Sequence, residues 1–129
     1  MRFRTEQHLR RQRDFQAIRE RGRRINCGAF TFAYLKREPI SENPPHPVEV
    51  KPEVKRLGVV ASTAAVGHAV LRNRAKRRLR EVFRRNQQVV PPGFDLLLTA
   101  RAAVTTWPFT ELEKKFVGAC RQLMPLEKV

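Results

Sequence analysis

The sequence predicts an α+β fold, a small α-β sandwich in which helices pack on a sheet of about four strands. Its length of 129 residues fits one compact domain. Apolar residues make up 41% of the chain, which is enough to build a hydrophobic core. Along the chain, helical and strand periodicities follow the order helix, strand, loop, strand, helix, strand, helix. A strand-helix-strand unit therefore forms the second half of the predicted domain.

The first predicted elements are a helix and a strand. The helix covers about residues 11–21, where Phe15 and Ile18 lie three positions apart as apolar contacts. Gly22 follows directly and is a typical stop at the end of a helix. Residues 29–36 then alternate large aromatic side chains with smaller ones and predict a strand that is apolar on both faces.

A long loop separates this strand from the next one. Residues 39–52 contain five of the nine prolines of the chain, a density that neither a helix nor a strand tolerates. We therefore expect a surface loop there and treat residues 1–129 as a single domain. The strand that follows the loop is short, rich in valine and predicted over residues 57–63.

The remaining elements are a basic helix, a strand and a final helix. The basic helix is predicted over residues 68–86. A Pro-Pro-Gly turn at residues 91–93 leads into a strand over residues 94–100. The last helix begins near Pro108, since proline is tolerated in a first turn, and extends to about Leu123.

The positive charge of the chain is concentrated in two short segments. The 27 Lys and Arg residues exceed the 12 Asp and Glu residues by 15. Residues 1–24 have a net charge of +6 and residues 71–85 have a net charge of +7. Such a concentration indicates a docking face for a polyanion, either a nucleic acid or an anionic membrane.

Several features favour an intracellular RNA-binding or DNA-binding protein. The sequence has no apolar run long enough to span a bilayer, and arginines occupy its start in place of an apolar signal core. Cys27 and Cys120 are too few for a disulfide scaffold and suit a reducing compartment. We therefore expect a cytoplasmic protein that does not bind membranes.

The basic helix has one apolar face and one cationic face. At 100° per residue, the apolar side chains fall on about a third of its circumference. They are Leu71, Ala75, Leu79, Val82 and Phe83. The other side and its flanks carry Arg72, Asn73, Arg74, Lys76, Arg77, Arg80 and Arg84. Because like charges four residues apart destabilise an isolated helix, this face is predicted to bind an external anion.

The segment around this helix also resembles a known signature. Residues 66–81, VGHAVLRNRAKRRLRE, resemble the signature of the bacterial ribonuclease P protein subunit, the RNR-motif family. Residues 13–15, RDF, followed by Gly22, are similar to the first helix of that family. Residues 56–60, RLGVV, are similar to the strand before the signature. The resemblance covers most of residues 9–124 in the same order.

This resemblance implies a function, a set of partners and a topology. Family members bind a large catalytic RNA and help it remove the 5′ leader from precursor tRNA. The RNR helix contacts the RNA subunit, and a cleft between the first helix and the sheet contacts the leader. The reaction requires Mg²⁺, held mainly by the RNA. The strand-helix-strand crossover of the family is left-handed, and no obligate protein partner is implied.

The resemblance also implies which residues line the leader cleft. Single strands bind to aromatic platforms with basic rims, so aromatic residues of the first helix and first strand are the candidates. The sequence pattern leaves open which face of that strand is exposed. The expected cleft residues are Phe15, Phe30, Phe32, Tyr34 and His68.

The sequence departs from the family pattern at the edge of this cleft. The family usually has a serine and two lysines before the Val-Gly pair and a lysine after it. This chain has Thr63, Ala64 and Ala65 before the pair and His68 after it. Three potential cationic contacts are therefore missing. We expect this rim to bind the leader backbone more weakly than the rim of a typical family member does.

No catalytic or metal site is predicted on the protein itself. A two-metal nuclease needs clustered carboxylates, whereas Asp14 and Asp95 lie in separate elements. The three histidines have no common spacing that would suit acid-base catalysis, and two distant cysteines do not make a zinc site. The alternative function is that of a structural RNA-binding protein of the ribosomal type, which composition alone does not exclude.

Overall fold

A four-stranded sheet organises the part of the chain that the structure describes. The structure is a computed structural model that describes residues 12–36 and 55–127, with side chains up to residue 123. The strands are β1 (Arg23–Asn26), β2 (Phe30–Lys36), β3 (Arg56–Val60) and β4 (Phe94–Ala100). Their order in the sheet is β1-β2-β4-β3. β2 is antiparallel to β1 and to β4, whereas β3 is parallel to β4.

Four α-helices accompany the sheet in the described ranges. They are α1 (Gln12–Arg21), α2 (Thr63–Val66), α3 (Ala69–Arg85) and α4 (Phe109–Glu127). The α+β prediction is confirmed, and β3, α3 and β4 form the predicted strand-helix-strand unit with parallel strands. That this crossover is left-handed stays a prediction. The predicted loop over residues 39–52 lies outside the described residues.

Most of the predicted element boundaries agree with the structure to within two residues. Among the strands and α-helices of the described residues, β1 and α2 were not predicted. β1 exists because a turn at Gly28, with a φ of 80°, folds the chain back so that β1 pairs with β2 along its whole length. The predicted strand over residues 57–63 is wrong at its end. It stops at Val60 because Ser62 caps α2, its Oγ accepting a hydrogen bond from the amide of Ala65 at 3.1 Å.

The larger hydrophobic core lies on the face of the sheet that α3 and α4 cover. Phe30 and Phe32 of β2 point into it and are fully buried. The ring of Phe116 in α4 lies 5.6 Å from that of Phe32 and 6.5 Å from that of Phe83 in α3. This packing of aromatic rings fixes α3 and α4 on one side of the sheet.

The opposite face of the sheet is covered in part by α1. Ile18 is fully buried there in a small cluster with Ala33 of β2 and Leu97 of β4. Phe15, on the same helix, is half-buried and packs on this cluster. We call this side of the sheet the α1 face.

Two contacts fix the direction in which α1 crosses the strands. At its start, Asp14 approaches the guanidinium of Arg56 at the beginning of β3, with a distance of 3.5 Å from Oδ2 to Nη1. At its end, Gly22 passes so close to β2 that a Cβ there would lie 2.5 Å from the carbonyl oxygen of Tyr34. α1 therefore runs across the sheet from the β3 side towards the β1 side.

Candidate RNA-binding surfaces

The cationic face of α3 is the first candidate surface. Ala75, Leu79, Val82 and Phe83 are buried against the sheet and α4, which confirms the apolar stripe expected from the sequence. Because these residues fix the rotation of the helix, the basic residues between them point away from the core. α3 thus presents a row of cations along most of its 17 residues.

The structure places the seven predicted RNA-binding residues of α3 in two groups. Those with exposed side chains are Asn73, Arg74, Arg77 and Arg80. Those that are half-buried on the flanks or towards the helix end are Arg72, Lys76 and Arg84. Among the seven, Arg84 is ion-paired with Glu81 one turn earlier. Within the described ranges no carboxylate pairs with Arg74, Arg77 or Arg80, and their charges remain available to an external anion.

Two other arginines of α3 serve the fold. Arg78 donates a hydrogen bond from Nη2 to the backbone oxygen of Trp107, just before α4. Arg85 lies 5.3 Å from the ring centroid of Phe109 and 3.7 Å from Glu113. These contacts attach one flank of α3 to the start of α4. Arg78 and Arg85 are therefore not counted in the candidate anion-binding surface.

A groove beside α1 is the second candidate surface. With Ile18 directed at the sheet, Asp14 lies on one flank of α1, whereas Phe15 and Arg19 lie one turn apart on the other. Asp14 is held at the Arg56 end of the strands, so the Phe15 flank faces the other end. There the α1 face is formed by half-buried Thr31, Thr99 and Val60. We call this space, bounded by Phe15 and Arg19 and floored by these three residues, the α1 groove.

The aromatic residues of β2 do not line this groove, and that part of the sequence prediction is wrong. Phe30 and Phe32 have no exposed surface and lie in the core under α3 and α4. Tyr34 is half-buried on the same face, with its ring 6.2 Å from that of Phe94. Because strand residues alternate, the α1 face receives Thr31 and Ala33 instead.

The residues predicted for the rim of the cleft are exposed, and their place beside the leader stays a prediction. His68 is exposed and precedes α3 without making a side-chain cap hydrogen bond. Thr63, Ala64 and Ala65 of α2 are exposed as well, and they follow β3 directly beyond Val60. This rim carries no permanent positive charge, as the departure from the family pattern suggests.

The sequence did not identify the residues at the β1 end of the groove. Arg24 is the register partner of Ala33 and therefore points to the α1 face. Arg101, directly after β4, donates hydrogen bonds to Asn26 Oδ1 at 3.2 Å and to the backbone oxygen of Gly28 at 3.1 Å. The face to which Arg24 points can be predicted only if β1 is recognised as a strand. The four residues of β1 are too few and too polar to give a clear strand pattern.

The two cysteines are packing residues. Burial raises the pKa of Cys27 to about 11, although Lys115 partly opposes it, and burial raises the pKa of Cys120 to about 12. Both are free thiols that stay protonated at neutral pH. Burial that raises the pKa favours the neutral thiol, whereas a cysteine nucleophile needs a lowered pKa.

The described residues offer no metal site of their own. Across residues 12–36 and 55–127, no three His, Cys, Asp or Glu side chains come together in a way that could hold a metal ion. No helix in those ranges is both long and apolar enough to cross a bilayer.

Comparison with known proteins identifies the family. Residues 3–124 match the family model of ribonuclease P. The ribonuclease P protein component of Desulfatibacillum aliphaticivorans is 37% identical over 101 residues, which cover 78% of this chain and 74% of that protein. The corresponding protein of Thermotoga maritima is 32% identical over 99 residues, which cover 77% of this chain and 73% of that protein.

Solved structures agree with this assignment. The ribonuclease P protein from Thermotoga maritima superposes with a TM-score of 0.70 at 28% identity, covering 89% of this chain and 96% of that one. The Staphylococcus aureus protein, at 22% identity and a TM-score of 0.66, shares the fold over 95% of this chain and 96% of its own. With a family match over nearly its whole length and this fold, the chain belongs to the ribonuclease P protein family.

Proposed function

We propose that the chain acts as the protein component of ribonuclease P, in which an RNA subunit removes the 5′ leader from precursor tRNA. Membership of the family supports a role in tRNA processing together with that RNA. The observation that carries the proposal is the row of exposed α3 cations without a carboxylate partner among the described residues. Such a row is expected where a protein docks on a phosphate backbone.

In this proposal α3 binds the RNA subunit. Arg74, Arg77 and Arg80 contact phosphates, since each presents an exposed and unpaired guanidinium. Arg72 and Lys76 extend the surface along one flank, and Arg84 contributes from the last turn. Asn73 adds an amide that donates to phosphate or base oxygens.

The α1 groove binds the single-stranded leader. Phe15 offers a half-buried aromatic surface at its edge, and base stacking on such a surface contributes about 1–3 kcal/mol per base. Thr31 and Thr99 replace the aromatic floor expected from the sequence, and their hydroxyls are hydrogen-bond partners for sugar or phosphate oxygens. We assign exposed His68 to the far rim of the site, as the resemblance implies.

The chemical step belongs to the RNA subunit in this proposal. The required Mg²⁺ ions are held mainly by RNA phosphates, and the protein contributes binding and charge neutralisation. Its partners are the ribonuclease P RNA and precursor tRNA, with no obligate protein partner. The two buried free thiols suit the cytoplasm, where thiols remain reduced.

Reconstitution with the ribonuclease P RNA of the same organism tests this function. The holoenzyme should cleave precursor tRNA at a Mg²⁺ concentration at which the RNA alone is slow. Phe15→Ala should weaken binding of precursor tRNA by about tenfold or more and barely change binding of mature tRNA, which lacks a leader.

Two results would contradict the proposal. Failure of the protein to stimulate cleavage, with co-purification on ribosomal subunits, would favour the alternative of a structural RNA-binding protein. If Phe15→Ala weakens the binding of precursor and mature tRNA equally, the leader does not bind in the α1 groove.

A further inference from the structure

The arginines of the first basic segment have no assigned role so far. The described part of this segment, residues 12–24, carries five arginines, and all five side chains are exposed. They are Arg13, Arg19, Arg21, Arg23 and Arg24. None of them forms an ion pair within the described ranges, since Asp14 is directed at Arg56 and Glu20 accepts a hydrogen bond from Gln16. These charges are as available as those of α3.

Two of these arginines border the α1 groove. Arg19 follows Phe15 by one turn on the flank of α1 that faces the groove. Arg24 points to the α1 face because it is paired with Ala33. Arg23, its neighbour, is paired with Tyr34 and points to the opposite face. The two residues are adjacent, exposed and chemically identical, but they lie on different sides of the sheet.

Arg101 adds a third cation at the same end of the groove. Its guanidinium donates to Asn26 Oδ1, to the backbone oxygen of Gly28 and, at 3.5 Å, to Thr31 Oγ1. All three acceptors are neutral, so the charge of Arg101 is held in place without being neutralised. Its side chain is exposed and needs little reorganisation to meet an anion.

We propose that Arg19, Arg24 and Arg101 form a phosphate-binding extension of the α1 groove, which holds the backbone of the single-stranded leader beyond the nucleotide at Phe15. The inference rests on the leader site proposed above. The rim at α2 and His68 has no permanent charge. The cations of the groove therefore lie at the β1 end of the groove. Each backbone phosphate carries the complementary charge.

The position of this extension separates it from the α3 surface. α3 packs on the other face of the sheet and connects β3 with β4. The β1 edge lies three strand spacings from β3, roughly 14 Å. Continuity with Phe15 and the groove floor therefore assigns these arginines to the strand in the groove and not to the RNA subunit on α3.

The neighbouring arginines of β1 provide a matched test in the reconstituted holoenzyme. Arg24→Gln and Arg19→Gln are compared with Arg23→Gln, each with mature tRNA and with precursors that carry a single-nucleotide leader or a longer one. For the longer leader, Arg24→Gln and Arg19→Gln should each weaken binding about two- to fivefold. Each should also lower the slope of log affinity against log salt by about 0.7. Arg23→Gln should leave both quantities unchanged.

The substrate series distinguishes the source of any effect. The extension is supported if the losses occur only with the longer leader. Equal losses with mature tRNA, or equal losses in Arg23→Gln and Arg24→Gln, would overturn it in favour of contacts with the tRNA body or the RNA subunit. If Phe15→Ala lowers precursor affinity selectively but Arg24→Gln does not, the leader site stands and the extension is wrong. If neither variant is selective, the leader site itself is wrong and the extension fails with it.

Discussion

Arg56 joins three elements of the fold through charges that are largely removed from water. Its guanidinium donates to both carboxylate oxygens of Asp95 in β4, at 2.8 and 2.7 Å, and lies 3.5 Å from Asp14 of α1. The side chains of Arg56 and Asp95 are 13% and 5% exposed, whereas that of Asp14 is 21% exposed. The two halves of this network should therefore differ in their contribution to stability.

Substitutions at the two ends of the network test this difference. Arg56→Met removes two charge-assisted hydrogen bonds from the buried Asp95 carboxylate and should lower the free energy of unfolding by about 1.5–3 kcal/mol. Asp14→Asn removes the longer and more exposed contact and should cost about 1 kcal/mol or less. Urea unfolding followed by circular dichroism measures both, with the exposed Arg23→Met as a control expected within about 0.5 kcal/mol of the wild type. Similar losses in Arg56→Met and Asp14→Asn would contradict this account.

At the scale of elements, α3 was predictable because its apolar period of 3.6 persists over almost five turns. β2 was recognised as a strand, but its orientation was not. Phe30 and Phe32 alternate with Thr31 and Ala33, and both sets suit a buried face, so the choice depends on helices that are distant in sequence. The larger side chains fill the thicker layer under α3 and α4, and the smaller ones allow α1 to lie close to the sheet.

β1 was missed for a different reason. Two of its four residues are arginines, and its pairing with β2 depends on the turn at Gly28. A Cβ on Gly28 would lie 2.8 Å from the ring of Trp107, a contact that no local pattern shows. The groove residues of β1 were missed together with the strand, and for that reason the sequence located the cationic face of α3 much better than the α1 groove.

Neighbouring arginines of α3 should separate RNA binding from folding. Arg77→Gln removes an exposed charge and should lower the slope of log affinity for the RNA subunit against log salt by about 0.7–0.9, with unchanged stability. Arg78→Gln removes the hydrogen bond to the Trp107 carbonyl and should lower the free energy of unfolding by about 1–3 kcal/mol. Salt-dependent binding and chemical unfolding of both variants check the assignment. An unchanged salt slope for Arg77→Gln would exclude it from the docking surface.

At the scale of the whole molecule, the sheet separates two cationic surfaces. α3 occupies one face, and the α1 groove with its arginines occupies the other. In the proposed complex, a protein with a net charge of +15 that is positive on both faces lowers the repulsion between the RNA subunit and precursor tRNA. Mg²⁺ ions would otherwise have to screen this repulsion.

This arrangement predicts how Mg²⁺ and the protein compensate for each other. The RNA subunit alone should cleave precursor tRNA at raised Mg²⁺, and adding the protein should shift the Mg²⁺ requirement to lower concentration. The protein freed of RNA should cleave nothing, which a nuclease assay across the same Mg²⁺ series measures. Cleavage by the RNA-free protein would place the active site on the protein instead.

The order of the strands also has a consequence for synthesis of the chain. β2 and β4 are neighbours at the centre of the sheet, yet Phe30 is paired with Ala100, seventy positions later. While the ribosome makes the chain, β2 and β3 have no strand between them until β4 emerges. Neither face can acquire its final shape before that late step, because both α1 and α3 pack against β4. A chain interrupted before this strand therefore lacks the support on which both cationic surfaces depend.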